Sequence, residues 1–222
     1  NNEQTSGPLT LTKSCHDMDI LLYLLGGASC QSIASVGGLS VFRRERYDPD
    51  TMAPMCVDCP QKDACAYSAP RLYGSGKIRS VVFDLSSVDK VRESLGNSPY
   101  GRCVYHCDNN VVDHQVVNMR FEGDTTVAFT MAAFNQGGRH TRIMGTKGEL
   151  NADMRRDSIE LFDFQTREIK QISTAGQEID GSIRDGHGGG DSGIMQAFYE
   201  HLNGVYHGNA LGEIVTSCTN HL

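Results

Sequence analysis

Two alternating runs in the middle of the chain constrain its fold most. Val117, Met119 and Phe121 alternate with Asn118, Arg120 and Glu122; after Glu122-Gly123-Asp124 the pattern returns with Val127, Phe129, Met131 and Ala133 on one side. A period of two marks a strand with one face buried and the other wet. A short glycine-containing turn between two such runs makes a hairpin. The pattern continues downstream. Arg139–Met144, a Gly145-Thr-Lys-Gly148 turn and Glu149–Ala152 form one pair, and Ile159–Phe164 and Glu168–Ile172, turning near Gln165-Thr166, form another. Meandering strands with few helices predict an α+β fold, read as a large mixed, mostly antiparallel open sheet with helices packed on one face.

The clearest helix lies upstream. Met18, Leu21, Leu22 and Leu25 fall at i, i+3, i+4 and i+7, one apolar face at helical period. Ser14 is placed to cap its start, Asp17 to complete a capping box, and Gly26-Gly27 to stop it. His16 then sits in the first turn, where the positive helix end favours neutral imidazole and a ring able to accept a proton near pH 7. A histidine that merely helps to cap the helix satisfies the same pattern. A second helix is predicted over Ser86–Leu95, capped by Ser87 and stopped by Gly96. A third carries Ile194, Met195, Phe198 and Leu202 and stops at Gly204. Ser32–Arg43 reads as a strand interrupted at Gly37-Gly38, and Val81-Val82-Phe83 as a short strand.

At 222 residues the chain suits a single domain over 1–222, with 39% hydrophobic and 21% charged residues in the ordinary range for a globular protein. The net charge of −7, with no basic block, argues against nucleic acid and anionic membranes as partners. No apolar run approaches the roughly 20 residues that span a bilayer. The polar start Asn1-Asn2-Glu3-Gln4 carries no signal-peptide pattern, so a cytoplasmic location is expected. The last residues, Ile214–Leu222, read like a helix cut short, and a fragment of a longer protein is expected. Between about residues 44 and 75 periodicity is poor. Pro49, Pro54, Pro60 and Pro70 accompany Cys56, Cys59 and Cys65, an inserted loop that something must tie down. Eight cysteines without a secretion signal point to reduced thiols or a metal site rather than disulfide staples.

Several segments carry a family resemblance. Lys13-Ser-Cys-His16-Asp17-Met-Asp19 with its apolar helix and Gly-Gly resembles the opening of the C-terminal domain of the glucose–fructose oxidoreductase / inositol dehydrogenase / MocA family. Tyr100-Gly-Arg-Cys-Val-Tyr-His-Cys-Asp-Asn, Val112-Asp-His-Gln115, Gly145-Thr-Lys-Gly-Glu-Leu150 and Gly186-His-Gly-Gly-Gly-Asp191 extend the match in order. The resemblance implies a dihydrodipicolinate-reductase-like C-terminal domain whose Rossmann partner is missing here. It further implies NAD or NADP held by that missing domain, a small sugar or polyol substrate, and homo-oligomers formed through the open sheet face. His16 would contact a substrate hydroxyl and aid its deprotonation as hydride leaves for the nicotinamide. The family usually places an Asp four residues before this His; here that position is Thr12, and Lys13 follows it as the candidate relay. Asp19, His187 and Asp191 are the implied substrate contacts. The family's Glu-Lys-Pro motif of the nucleotide-binding domain does not occur in this chain, and no cofactor-binding residues are expected in it.

Other patterns carry less. Gly188-Gly-Gly190-Asp-Ser-Gly193 formally matches G-x-G-x-x-G but lacks a good strand before it, so it reads as a tight loop with Asp191 or Ser192 as helix cap. His187 there is either a substrate contact or a surface residue of a glycine turn. Cys56-x2-Cys59-x5-Cys65 is a candidate zinc site, with the fourth ligand open between Cys103, His106 and Cys107; free thiols packing a loop, or a disulfide, are the alternatives. Asn109-Asn110 and Asp113-His114 read as turn formers ahead of a strand. The functional expectation is the substrate domain of an NAD(P)-dependent oxidoreductase acting on a sugar or polyol hydroxyl. The alternatives are an NAD-dependent glycosidase of the same family and a non-catalytic, zinc-stabilised interaction module.

Overall fold

The structure is a computed structural model, and it describes residues 2–8, 10–74, 86–156, 158–174 and 190–205. The chain divides into two compact units, Asn1–Phe134 and Asn135–Asn220.

In the first unit the alternating runs become strands. Strand β1 (Cys30–Gly38), β2 (His114–Phe121) and β3 (Thr126–Ala132) form an antiparallel sheet in that order. The β2–β3 hairpin turns through Glu122–Asp124, where Gly123 and Asp124 have φ of 75° and 60°, a left-handed bend suited to Gly and tolerated by Asp. Helix α1 (Cys15–Leu24) lies on one face. Its Met18, Leu21 and Leu22, with Leu25 just past its end, pack over buried Val117, Met119 and Phe121. Burying each such side chain contributes about 1.5–3 kcal/mol, so this helix-on-hairpin contact is the main apolar core of the unit.

Two local expectations are corrected. Ser14 is not the helix cap. A π-helical turn over Thr10–Ser14 runs straight into α1, Ser14 itself is helical at φ −81°, and its side chain makes no capping bond. The seryl group is instead 1% exposed and donates to Met131 Sδ at 3.1 Å, pinning the start of α1 to the end of β3. Gly37-Gly38 do not interrupt β1, which runs through both and stops at Gly38. A Cβ at Gly37 would lie 2.7 Å from the His114 carbonyl oxygen, so glycine there permits a close strand approach.

The cysteine-rich stretch is built of short pieces: 3-10 turns at Arg44–Arg46 and Cys56–Asp58, then helix α2 (Ala69–Gly74). Helix α3 (Val88–Gly96) follows, with the Ser87 hydroxyl accepting from the Lys90 N–H at 3.2 Å as expected of a cap. Cys56, Ala69, Val91 and Leu95 form a small second core, with Val57 and Tyr73 against it. Cys103 N–H donates to the Pro54 carbonyl at 2.8 Å beside an isolated Met55–Arg102 bridge, which ties the segment after α3 to the cysteine-rich turn. The chain start is clasped to the stretch ahead of β2. Asn2 Nδ2 donates to the Asp108 carbonyl at 3.0 Å, and Glu3 N–H donates to Asn110 Oδ1 at 2.9 Å.

The second unit holds an antiparallel meander, β4 (His140–Met144), β5 (Gly148–Asp153), β6 (Ser158–Asp163) and β7 (Ile169–Ser173), paired in sequence order. Helix α4 (Gly190–Leu202) belongs to this unit and is followed by Gly204 at φ 68°. The α+β class therefore holds, with the described strands grouped into two antiparallel sheets rather than one. The strand expected at Val81–Phe83 lies outside the described residues. Among the described residues no helix is long and apolar enough to cross a membrane.

Candidate functional site

The amino end of α1 and the starting end of β2 meet at one end of the first sheet. The Ser14–Met131 bond fixes the helix there, and Met131 stands opposite Gln115 in the ladder. His16 is exposed on the first turn of α1, with Nδ1 3.7 Å from the Cys15 thiol. Asp19, three residues on and so on the same side of the helix, is also exposed. Because the π-helical turn precedes α1, His16 is not at the mouth of a helix, and the positive end of the helical run lies one turn earlier. Lys13 belongs to that turn by its backbone; its side chain is outside the described residues.

Gln115 carries a second feature of this end that sequence reasoning passed over. Its Nε2 donates to the Ser35 hydroxyl at 2.7 Å, while its Oε1 is buried with no hydrogen-bond partner among the described residues. A buried amide oxygen left unpaired costs on the order of 1–3 kcal/mol. The only sequence signal was its place in Val112-Asp-His-Gln115.

Asp113 and His114 stand at the start of β2, Asp113 just ahead of it and His114 its first residue. The Asp113 carboxylate is 3% exposed and accepts from the backbone N–H of Ser40 at 3.0 Å, Val41 at 2.6 Å and Phe42 at 3.1 Å, and from His114 Nδ1 at 2.8 Å. Burial on its own pushes this carboxyl up, but the bonds from His114, Val41, Phe42 and Ser40 together bring it down to about 2. It thus latches the turn after β1 onto the start of β2. Asn109 does similar work, donating to the Phe42 carbonyl at 3.0 Å. Reading these residues as turn formers fits their bonds.

Not every expected site residue falls in this unit. Asp191 and Ser192 stand inside the first turn of α4, not ahead of it, and belong to the second unit. His187 lies outside the described residues. Cys56, Cys59 and Cys65 line a cavity of about 250 Å³ in the first unit, joined there by Cys103. As the side chains stand, no three His, Cys, Asp or Glu among the described residues are grouped to hold a metal ion.

No protein-family model matches the chain. No curated protein sequence matches it either. Solved structures do. A Thermotoga maritima protein assigned as an oxidoreductase has a TM-score of 0.51 at 12% identity, covering 99% of this chain and 44% of that one. An oxidoreductase domain protein from Kribbella flavida has a TM-score of 0.55 at 13% identity, covering 98% of this chain and 48% of that one. The chain spans less than half the length of either neighbour, and it shares the fold of the part of them that it covers.

Proposed function

We propose that the chain is the substrate-facing domain of an NAD(P)-dependent oxidoreductase that acts on a hydroxyl of a sugar or polyol. The observation that carries this is the exposed ring of His16 on the first turn of α1, in a fold shared with two oxidoreductase-assigned chains of about twice the length. With Nδ1 beside the Cys15 thiol, Nε2 is the nitrogen assigned to take the hydroxyl proton. A nicotinamide held by a separate nucleotide-binding domain would supply the hydride acceptor. Asp19 shares the exposed side of the helix with His16 and is assigned to a neighbouring hydroxyl, with Lys13 ahead of them as the proton relay. Copies are proposed to associate through the face of the first sheet away from α1, where exposed Val36 pairs with exposed Val116.

The test uses the protein joined to its nucleotide-binding domain. His16→Gln should lower kcat for polyol oxidation by about 10²–10⁴, the usual worth of a general base, and flatten its pH profile. Unchanged kcat would remove His16 from the chemistry. The 222-residue chain by itself should show no NAD affinity by calorimetry; measurable binding would contradict the reading. Glycoside cleavage without net NADH would move the assignment to the glycosidase.

A further inference from the structure

The cavity in the cysteine-rich segment has its own chemistry. Four of its lining residues are the free cysteines Cys56, Cys59, Cys65 and Cys103. Three of them, Cys56, Cys59 and Cys103, are each 7% exposed. The local backbone explains why they share a wall. Cys56–Asp58 is a 3-10 turn closed by Cys59 N–H donating to the Cys56 carbonyl at 3.3 Å, which sets the first two cysteines at the C-x2-C spacing of a chelating pair. Cys65 N–H donates to the Gln61 carbonyl at 2.9 Å, so the third thiol comes from the next turn. Cys103 arrives from a distant segment, held by its N–H bond to the Pro54 carbonyl.

The structure also separates the three candidates for a fourth ligand. The His106 ring packs edge-on against Tyr47 at 4.6 Å between centroids. Cys107 donates its thiol to the Cys103 carbonyl at 3.2 Å. Neither lines the cavity, whereas Cys103 does.

We propose that Cys56, Cys59, Cys65 and Cys103 form a closed structural zinc site that clamps the cysteine-rich insert to the segment after α3. Zinc suits four thiolates at about 2.3 Å in a tetrahedron with no open position. The thiols are not grouped around one point in this structure, so the proposal requires them to turn between staggered χ1 wells when the ion binds. Each thiol releases its proton to solvent on binding, so four ligands replace up to four S–H bonds by Zn–S bonds with no change of oxidation state. The energetic reason for such a clamp is local. The core here, among the described residues, is Cys56, Ala69, Val91 and Leu95 with Val57 and Tyr73 against it, and small cores are commonly stapled by a metal.

The test is metal analysis of the full chain purified without chelator. One zinc per chain is expected, with melting that drops on chelation and returns on adding zinc. Cobalt(II) in place of zinc should give the intense visible absorption of a tetrahedral thiolate complex, a readout on the unmutated protein that does not depend on any variant folding. Cys103→Ser should lose the zinc, and Cys107→Ser should keep it. A chain with no metal whose thiols react freely in the folded state would overturn the proposal. So would iron with sulfide in place of zinc, a disulfide among these cysteines by mass spectrometry, or zinc retained in C103S and lost in C107S.

Discussion

Asp113 is nearly sealed from water, yet it stays ionised because each carboxylate oxygen is met by a donor. Its carboxyl titrates at about 2 in the folded chain against an ordinary 3.8. A group depressed on folding contributes stability that is fully present above its unfolded value and is lost as the pH falls through its folded value. The contribution of Asp113 should therefore disappear between about pH 4 and pH 2. Asp113→Asn should cost about 2 kcal/mol at neutral pH, the scale of hydrogen bonds to a charged group. Chemical denaturation across pH checks this: the gap between the parent and D113N should narrow through that window, and a constant gap would show that the carboxylate charge is not what holds the turn. The sequence showed Asp113 as a turn former ahead of a strand, and that was legible from residue type. Its donors were not legible, because Ser40, Val41 and Phe42 come from the turn after β1 and are joined to it only by folding. Ser14 shows the opposite failure. Its residue type announces a cap, and the local pattern could not show that a π-helical turn would already occupy the positions ahead of it.

Among the elements, the hairpin β2–β3 and the helix α1 were the most readable, since both rest on a period that needs no distant information. The faces agree with the pattern: Val117, Met119 and Phe121 are buried, and Met18, Leu21, Leu22 and Leu25 are the residues that cover them. Phe121 is 2% exposed at the centre of this contact. Phe121→Ala should destabilise the chain by about 3–5 kcal/mol, the range for an aromatic removed from a core; a loss well under 1 kcal/mol in denaturant titration would mean that the helix is not carried by the sheet. The grouping of strands into two sheets was less readable, because periodicity reports which face of a strand is buried and not which neighbour it takes. The strand through Gly37-Gly38 was misjudged for a related reason. Glycine in a strand signals either a break or a close approach, and only the His114 carbonyl opposite Gly37 decides between them.

For the molecule as a whole, the run of alternating strands with few helices set the class, and the α+β fold agrees with it. The candidate site was readable only in part. That His16 and Asp19 sit together on one side of a helix follows from the local pattern, whereas the bond of Gln115 to Ser35 and the joining of Cys103 to Cys56, Cys59 and Cys65 depend on segments far apart in the chain. Val36 is 78% exposed on the face of the first sheet away from α1. If that face joins copies, Val36→Lys should shift the mass measured by light scattering to that of one chain without lowering the melting temperature; an unchanged mass would place the contact elsewhere. The clasp at the chain start has a consequence beyond it. Glu3 and Asn2 are moored to Asn110 and Asp108, a few residues ahead of the corner where β2 begins and where Ser14 anchors the histidine-bearing turn. The first residues are therefore fixed against the stretch that leads into β2 rather than left trailing, so a change at Asp108 or Asn110 would be felt at both places at once.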